Sequence, residues 1–101
     1  MSVVDLLTTA ADLPRAWSSR RLGQVGTATV KVLRMDELPV VAESHGADES
    51  LLVLDGHLEL ELDGTPVTLR AGELCMVPAG TAHRVRPGSR GTLVIVELTE
   101  N

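Results

Sequence analysis

The chain has 101 residues, of which 44% are hydrophobic and 23% are charged, and its formal net charge is −5. This length predicts one domain around a single hydrophobic core, and the mixed composition excludes disorder along the whole chain. The acidic balance argues against a nucleic-acid partner, because binding to a phosphate backbone needs a clustered basic face.

The first 25 residues are predicted to form an arm outside the main sheet. Residues 3–7 are mostly apolar and favour a short strand, while residues 8–17 favour a turn with room for one turn of helix before Pro14. Trp17 is the only aromatic residue in the chain. We expect it to serve as a packing anchor or a subunit contact.

Strands are predicted from residue 26 onward. Residues 27–35 are rich in Val and Thr and alternate partly in polarity, as a half-buried strand requires. Residues 50–54 form an apolar run, which predicts a strand buried on both faces that ends at Gly56. In residues 57–62 three leucines alternate with polar residues, so this strand should bury one face and leave His57 in solvent.

The rest of the chain predicts a series of short strands. Asp63 and Gly64 favour a two-residue type I′ hairpin, in which both central residues need positive φ. Further strands are predicted at residues 67–70, 73–77, 83–86 and 92–98, with a loop at 87–91. Met35 and Met76 are expected to fill the core or a pocket. Regularly spaced short strands predict an all-β fold, either a sandwich or a small barrel.

Cysteine usage and hydropathy bear on where the protein works. The single cysteine, Cys75, cannot form an intrachain disulfide, and we expect it to be a small buried hydrophobic residue. The chain lacks the features of a signal peptide, and no apolar run approaches the ~20 residues that span a bilayer. The sequence therefore predicts a soluble cytoplasmic protein without a membrane partner.

Two segments carry metal-capable side chains at defined spacings. The first segment contributes Glu43, His45, Glu49 and Gly56. The second contributes Gly72, Pro78, Gly80 and His83. The second segment resembles the second conserved motif of the cupins, except that Pro87 stands where the family usually has Asn. The first is similar to the first cupin motif, with Glu43 in place of its first histidine. Residues 57–71 between them leave room for one hairpin, as in compact single-domain bacterial cupins.

This resemblance implies one cupin domain over residues 1–101, with residues 26–98 forming a small antiparallel β-barrel of jelly-roll type. It also implies a metal site in the barrel mouth, with the ligands Glu43, His45, Glu49 and His83. Residues two apart on a strand face the same side, which agrees with Glu43 and His45 pointing together into the barrel. Such ligands suit one divalent transition-metal ion, Fe, Mn, Ni, Co or Zn, with open positions for water or substrate.

Two alternative interpretations of these residues stay open. Glu43 could turn to solvent, which would leave two histidines and one carboxylate as ligands, or serve as a catalytic base. His83 could instead be an interior histidine bonded to Glu49, with Pro78 and Gly80 acting only as turn residues. The combined motif spacing favours the metal site.

Three classes of function remain compatible with the sequence. The first is a metal-dependent enzyme acting on a small oxygenated molecule, with dioxygenase, isomerase, lyase or cyclase chemistry. The second is a small-molecule or metal-binding module without turnover, and the third is a structural or regulatory dimer without a metal. We also expect a homodimer, in which the apolar segment 3–7 adds a strand to the neighbouring subunit's sheet.

Overall fold

The computed structural model describes residues 2–38 and 46–98. In these residues the chain forms one short helix and seven strands: α1 (Leu6–Ala11), β1 (Arg20–Val25), β2 (Ala28–Met35), β3 (Glu49–Leu62), β4 (Thr65–Arg70), β5 (Leu74–Val77), β6 (His83–Val85) and β7 (Arg90–Leu98). The predicted all-β fold is confirmed. No helix in the described ranges is long and apolar enough to cross a membrane.

All the strand pairings are antiparallel, and β3 is the strand that connects them. The hydrogen-bonded order is β1-β2-β7-β3-β4, and β5 and β6 also pair with β3. The first part of β3 lies between β5 and β7, and its second part lies between β4 and β6. The result is the predicted antiparallel jelly roll, although its hydrogen-bonded path does not close into a full barrel within the described ranges.

Gly56 does not end a strand, contrary to the prediction, but lies within the long strand β3, shortly after a bulge at Leu54. Its φ is +76°, and the register with β7 shifts between Val53 and Asp55. An extra residue in one strand reverses the alternation of its side chains. Val53 before the bulge and Leu58 after it are therefore both buried in the interior.

The hairpin prediction is confirmed. Asp63 and Gly64 have φ values of +47° and +83°, as a type I′ turn requires, and Leu62 pairs with Thr65 across the turn. The other predicted strands are observed with ends shifted by one or two residues.

The prediction of a strand at residues 3–7 is wrong, because a helix begins at Leu6. The Asp5 side chain caps this helix by accepting a hydrogen bond from the Thr8 backbone nitrogen at 3.1 Å. Ala10 is buried against Val32 and Val94 on the outer face of the main sheet. Strand β1, which the sequence did not reveal, has five exposed residues out of six, so it lacks an alternating apolar pattern.

The interior is filled by aliphatic side chains and Met35. The buried cluster comprises Leu33, Met35, Leu51, Val53, Leu58, Leu60, Leu69, Val77 and Leu93. Trp17 packs against this cluster, which confirms its expected packing role. Met76, expected in the core or a pocket, is not in the core but is 62% exposed and lines a shallow, open pocket. The expected exposure of His57 is only partial, since its ring contacts Glu59.

Candidate metal centre

A cavity of about 350 Å³ lies between the inner faces of the strands. Much of its wall is aliphatic, including Leu33, Leu51, Leu58, Leu60, Leu93 and Ile95. Its polar groups include Glu49, His83, Lys31 and Glu97. A mostly apolar pocket with a few convergent polar groups is typical of small-molecule sites.

The turn between β5 and β6 brings His83 to the start of β3. Val77, the last residue of β5, is the register partner of Glu49. The turn that follows contains Gly80 with a φ of +81°, and the Ala79 backbone nitrogen donates a hydrogen bond to Asp48 Oδ1 at 2.8 Å. This contact fixes the turn beside Glu49, so the chain re-enters the sheet with His83 facing the cavity.

His83 and Glu49 meet inside the cavity. Their Nε2 and Oε1 atoms are 3.2 Å apart, and their side chains are only 10% and 7% exposed. Burial of a histidine and a carboxylate is costly unless their polar atoms share a proton or a cation.

The hydrogen bond made by Nδ1 of His83 determines whether Nε2 carries a hydrogen or a lone pair in the neutral ring. Nδ1 lies 3.1 Å from the Thr81 carbonyl oxygen, which can only accept, so Nδ1 carries the hydrogen. A neutral ring then presents a lone pair at Nε2 toward a carboxylate oxygen that also offers lone pairs. A divalent cation fits this donor pair, because two ligand atoms each bonded at about 2.1 Å to one ion can stand this far apart. A proton on Nε2 would also satisfy the pair.

A second carboxylate lies on the neighbouring strand. Glu97 of β7 is the register partner of Glu49 and lines the same cavity. Lys31 of β2 forms an ion pair with Glu97. The polar wall of the cavity therefore includes the His83–Glu49 pair and the Lys31–Glu97 pair, and Ser19 and Arg84 also line it.

A search against protein-family models supplies the family. The model described as "Cupin domain" matches residues 36–99, which is more than half of the chain. The chain belongs to the cupin family.

Two kinds of relatives accompany this match. A segment of 47 residues is 47% identical to quercetin 2,3-dioxygenase of Bacillus subtilis (strain 168); it covers 46% of this cupin but only 14% of that enzyme. Among solved structures, a cupin-2 domain-containing protein from Shewanella frigidimarina superposes with a TM-score of 0.85 at 23% identity, over 96% of this chain and 95% of the other. A hydroquinone 1,2-dioxygenase in complex with Cd²⁺ and 4-hydroxybenzonitrile gives 0.80 at 20% identity, over 95% and 72%. These structural likenesses show the fold.

Of the four expected ligands, the structure of this cupin describes two. Glu49 and His83 come together, whereas Glu43 and His45 lie outside the described residues. Within residues 2–38 and 46–98, no three His, Cys, Asp or Glu side chains form a group that could hold one ion. Cys75 is half-buried, and burial together with the negative charge of Glu49 raises the pKa of its thiol.

Lys31, Glu97 and Trp17 also line the cavity, which was not predicted from the sequence. A signal for two of them exists in the strand pattern. Lys31 shares the inward side of β2 with Leu33 and Met35, and Glu97 shares that of β7 with Leu93 and Ile95. A charged residue at an inward-facing position of a strand marks a cavity wall. Trp17 lies on no strand, and its indole nitrogen donates to the Leu38 carbonyl oxygen at 2.9 Å.

Proposed function

We propose that this cupin binds one divalent transition-metal ion and acts as a metal-dependent enzyme on a small oxygenated molecule. The observation that carries the proposal is the buried His83–Glu49 pair, with Nε2 and Oε1 3.2 Å apart at the wall of a cavity. Glu43 and His45, placed by the first cupin motif, are proposed as the remaining ligands. The candidate ions stay Fe, Mn, Ni, Co and Zn.

The likeness to named dioxygenases supports this choice of chemistry. One relative is named a quercetin 2,3-dioxygenase, and a structural neighbour is a hydroquinone 1,2-dioxygenase solved with Cd²⁺. This cupin matches only a short part of the first enzyme, so the reaction and the substrate are proposed at the level of class. A small molecule bearing oxygen atoms fits the cavity volume of about 350 Å³.

The residues around the cavity would have different roles in the proposed metal-dependent reaction. A bound divalent ion would supply Lewis acidity toward a substrate oxygen. The Thr81 carbonyl holds the proton of His83 on Nδ1 and thereby directs the lone pair of Nε2 toward Glu49. Aliphatic side chains such as Leu51 and Leu60 exclude bulk water and strengthen the electrostatic interactions inside the cavity. Glu43 is proposed as a base if it is not a ligand.

Metal analysis of matched variants tests this proposal. We expect the wild-type protein to bind one ion per chain and His83→Ala to lose it, with both chains folded as judged by circular dichroism. His57→Ala is the matched control, because His57 is bonded to Glu59 and does not line the cavity. A His83→Ala protein that binds metal like the wild type would refute the proposed site.

Turnover assays then separate the enzyme from the alternatives. The metal-loaded protein is offered catechols, keto acids and sugars, and both O₂ uptake and product are measured. We expect turnover of at least one class that is lost in His83→Ala. Metal binding without turnover of any class would favour a binding module, and absence of metal would favour a structural or regulatory dimer.

A further inference from the structure

The Lys31–Glu97 ion pair lies beside the proposed metal ligands, but neither residue is one of those ligands. Glu97 and Glu49 stand directly opposite each other on β7 and β3. Residues opposite each other in an antiparallel pair have Cβ atoms about 4.5–5.5 Å apart on the same face, and like charges there repel. Both glutamates line the cavity, with side chains 23% and 7% exposed. Two mutually repelling carboxylates therefore share one small space.

Lys31 relieves this repulsion from the other side of Glu97. Thr29 is the register partner of Glu97 on β2, so Lys31 lies two residues further along the same inward face. Its Nζ atom donates to Glu97 Oε1, and its side chain is only 31% exposed. The ion pair thus fixes the Glu97 carboxylate on the β2 side of the cavity. This agrees with the finding that no three acidic, His or Cys side chains in the described ranges form a group for one ion.

We propose that Lys31 is a positioning residue that keeps Glu97 out of the metal's ligand sphere. The inference rests on the proposed metal site. With Lys31 in place, the ion keeps positions open for substrate; without it, Glu97 turns toward the ion that His83 and Glu49 bind. The pair therefore sets how many protein ligands the ion has, which in turn selects among cations with different coordination preferences.

Titration with Co²⁺ tests this inference, because its visible absorption spectrum reports the coordination number. We expect Lys31→Met, which keeps the side-chain length, to bind Co²⁺ at least about tenfold more tightly than the wild type, because Glu97 is added as a ligand. Tenfold is the lower end of the effect, about 10–100-fold, that residues around metal ligands have on affinity. Its Co²⁺ spectrum should differ from that of the wild type. Lys31→Arg keeps the charge and should leave both affinity and spectrum unchanged.

A double variant separates ligation by Glu97 from a simple change of charge. Lys31→Met with Glu97→Asp keeps the negative charge but shortens the side chain that must reach the ion. We expect this double variant to lose both the gain in affinity and the altered spectrum. Thermal unfolding without metal checks that each variant is folded.

The outcomes that would overturn the role of Lys31 differ from those that would overturn the proposed metal site. A Lys31→Met protein with unchanged or weaker Co²⁺ affinity, or a gain that persists with Glu97→Asp, would overturn the inference. Binding by Lys31→Met but not by the wild type would support the inference and overturn the proposed function. Absence of Co²⁺ binding in every variant would overturn both.

Discussion

Glu59 shows how a single carboxylate on the outer face of this cupin is held in its charged form. Its Oε2 accepts a hydrogen bond from the Thr68 hydroxyl at 2.7 Å, and its Oε1 lies 3.0 Å from His57 Nδ1. The Thr68 hydroxyl, followed by His57, lowers the pKa of Glu59 below its ordinary value, although burial opposes the shift. This contribution to stability is present at neutral pH and is lost as the pH falls through the lowered pKa.

Removing the Thr68 hydroxyl should therefore change stability in a pH-dependent way. We expect Thr68→Val to be less stable than the wild type by about 0.5–1 kcal/mol at pH 7, since the bond is solvent-accessible. The difference should shrink as Glu59 becomes protonated, and the pKa of Glu59 should rise in the variant. Urea unfolding across the acidic range measures the first effect, and carboxyl NMR titration measures the second. A difference that is constant with pH would contradict this role.

Some of the individual residues of the candidate site could be predicted from the sequence alone. His83 and Glu49 could be predicted because their spacing from Gly and Pro residues matches a known motif. Lys31 and Glu97 could not, because their importance depends on which strands become neighbours, and β2, β7 and β3 pair across long stretches of sequence. Local spacing contains no information on that order.

Among the elements, β3 depends on two glycines that face each other. Gly56 in β3 and Gly91 in β7 are register partners with φ values of +76° and +102°. A Cβ at Gly56 would lie 2.0 Å from the Arg90 carbonyl oxygen, and one at Gly91 would lie 1.9 Å from that of Asp55. The backbones approach so closely that neither strand has room for a side chain.

Alanine at Gly91 should consequently be poorly tolerated. We expect Gly91→Ala to destabilise the fold by about 2–4 kcal/mol, because the positive φ and the clash with the backbone both add strain. Gly23→Ala is the matched control, since a Cβ there meets nothing within 4 Å, and it should change stability by no more than about 0.5 kcal/mol. Chemical denaturation of both variants gives the comparison. Equal stabilities would show that the two strands can separate at the Gly56–Gly91 pair without cost.

The elements differ in how well their sequence reveals them. The alternation of Leu58 and Leu60 with polar residues and the Asp63–Gly64 turn were sufficient, because period and turn chemistry are local properties. Gly56, which lies within β3 shortly after the bulge, was mistaken for a strand end, since a glycine in a strand pattern is compatible with either a strand end or a bulge. Residues 6–7 at the start of helix α1 were mistaken for part of a strand, because the apolar residues there are too few to define a period and the Asp5 cap was overlooked. The turn of helix expected within residues 8–17 is observed in the rest of α1.

At the scale of the whole molecule, the outer face of the main sheet is apolar and only partly covered by α1. Met76, Ser50, Val96 and Val30 lie in one row across four paired strands, and Met76 and Leu98 are 62% and 42% exposed.

We therefore keep the expectation of a homodimer but place the contact on this outer face. The contact cannot use a strand at residues 3–7, because a helix begins at Leu6. We expect the wild type to be a dimer by light scattering and Met76→Glu to be a folded monomer. Leu38→Glu is the control, because Leu38 is 71% exposed and follows the opposite end of β2. A monomeric wild type, or a Met76→Glu protein that stays dimeric, would contradict this surface.

His83 and Glu49 are proposed to share one metal ion, with the ring proton of His83 on Nδ1. The most direct test is ¹⁵N NMR of the imidazole nitrogens during titration with Zn²⁺, which is feasible with three histidines in the chain. We expect the His83 Nε2 resonance to shift with one equivalent of Zn²⁺ while Nδ1 keeps its proton. A His83 ring whose Nε2 stays protonated, or whose resonances do not respond to Zn²⁺, would contradict the claim.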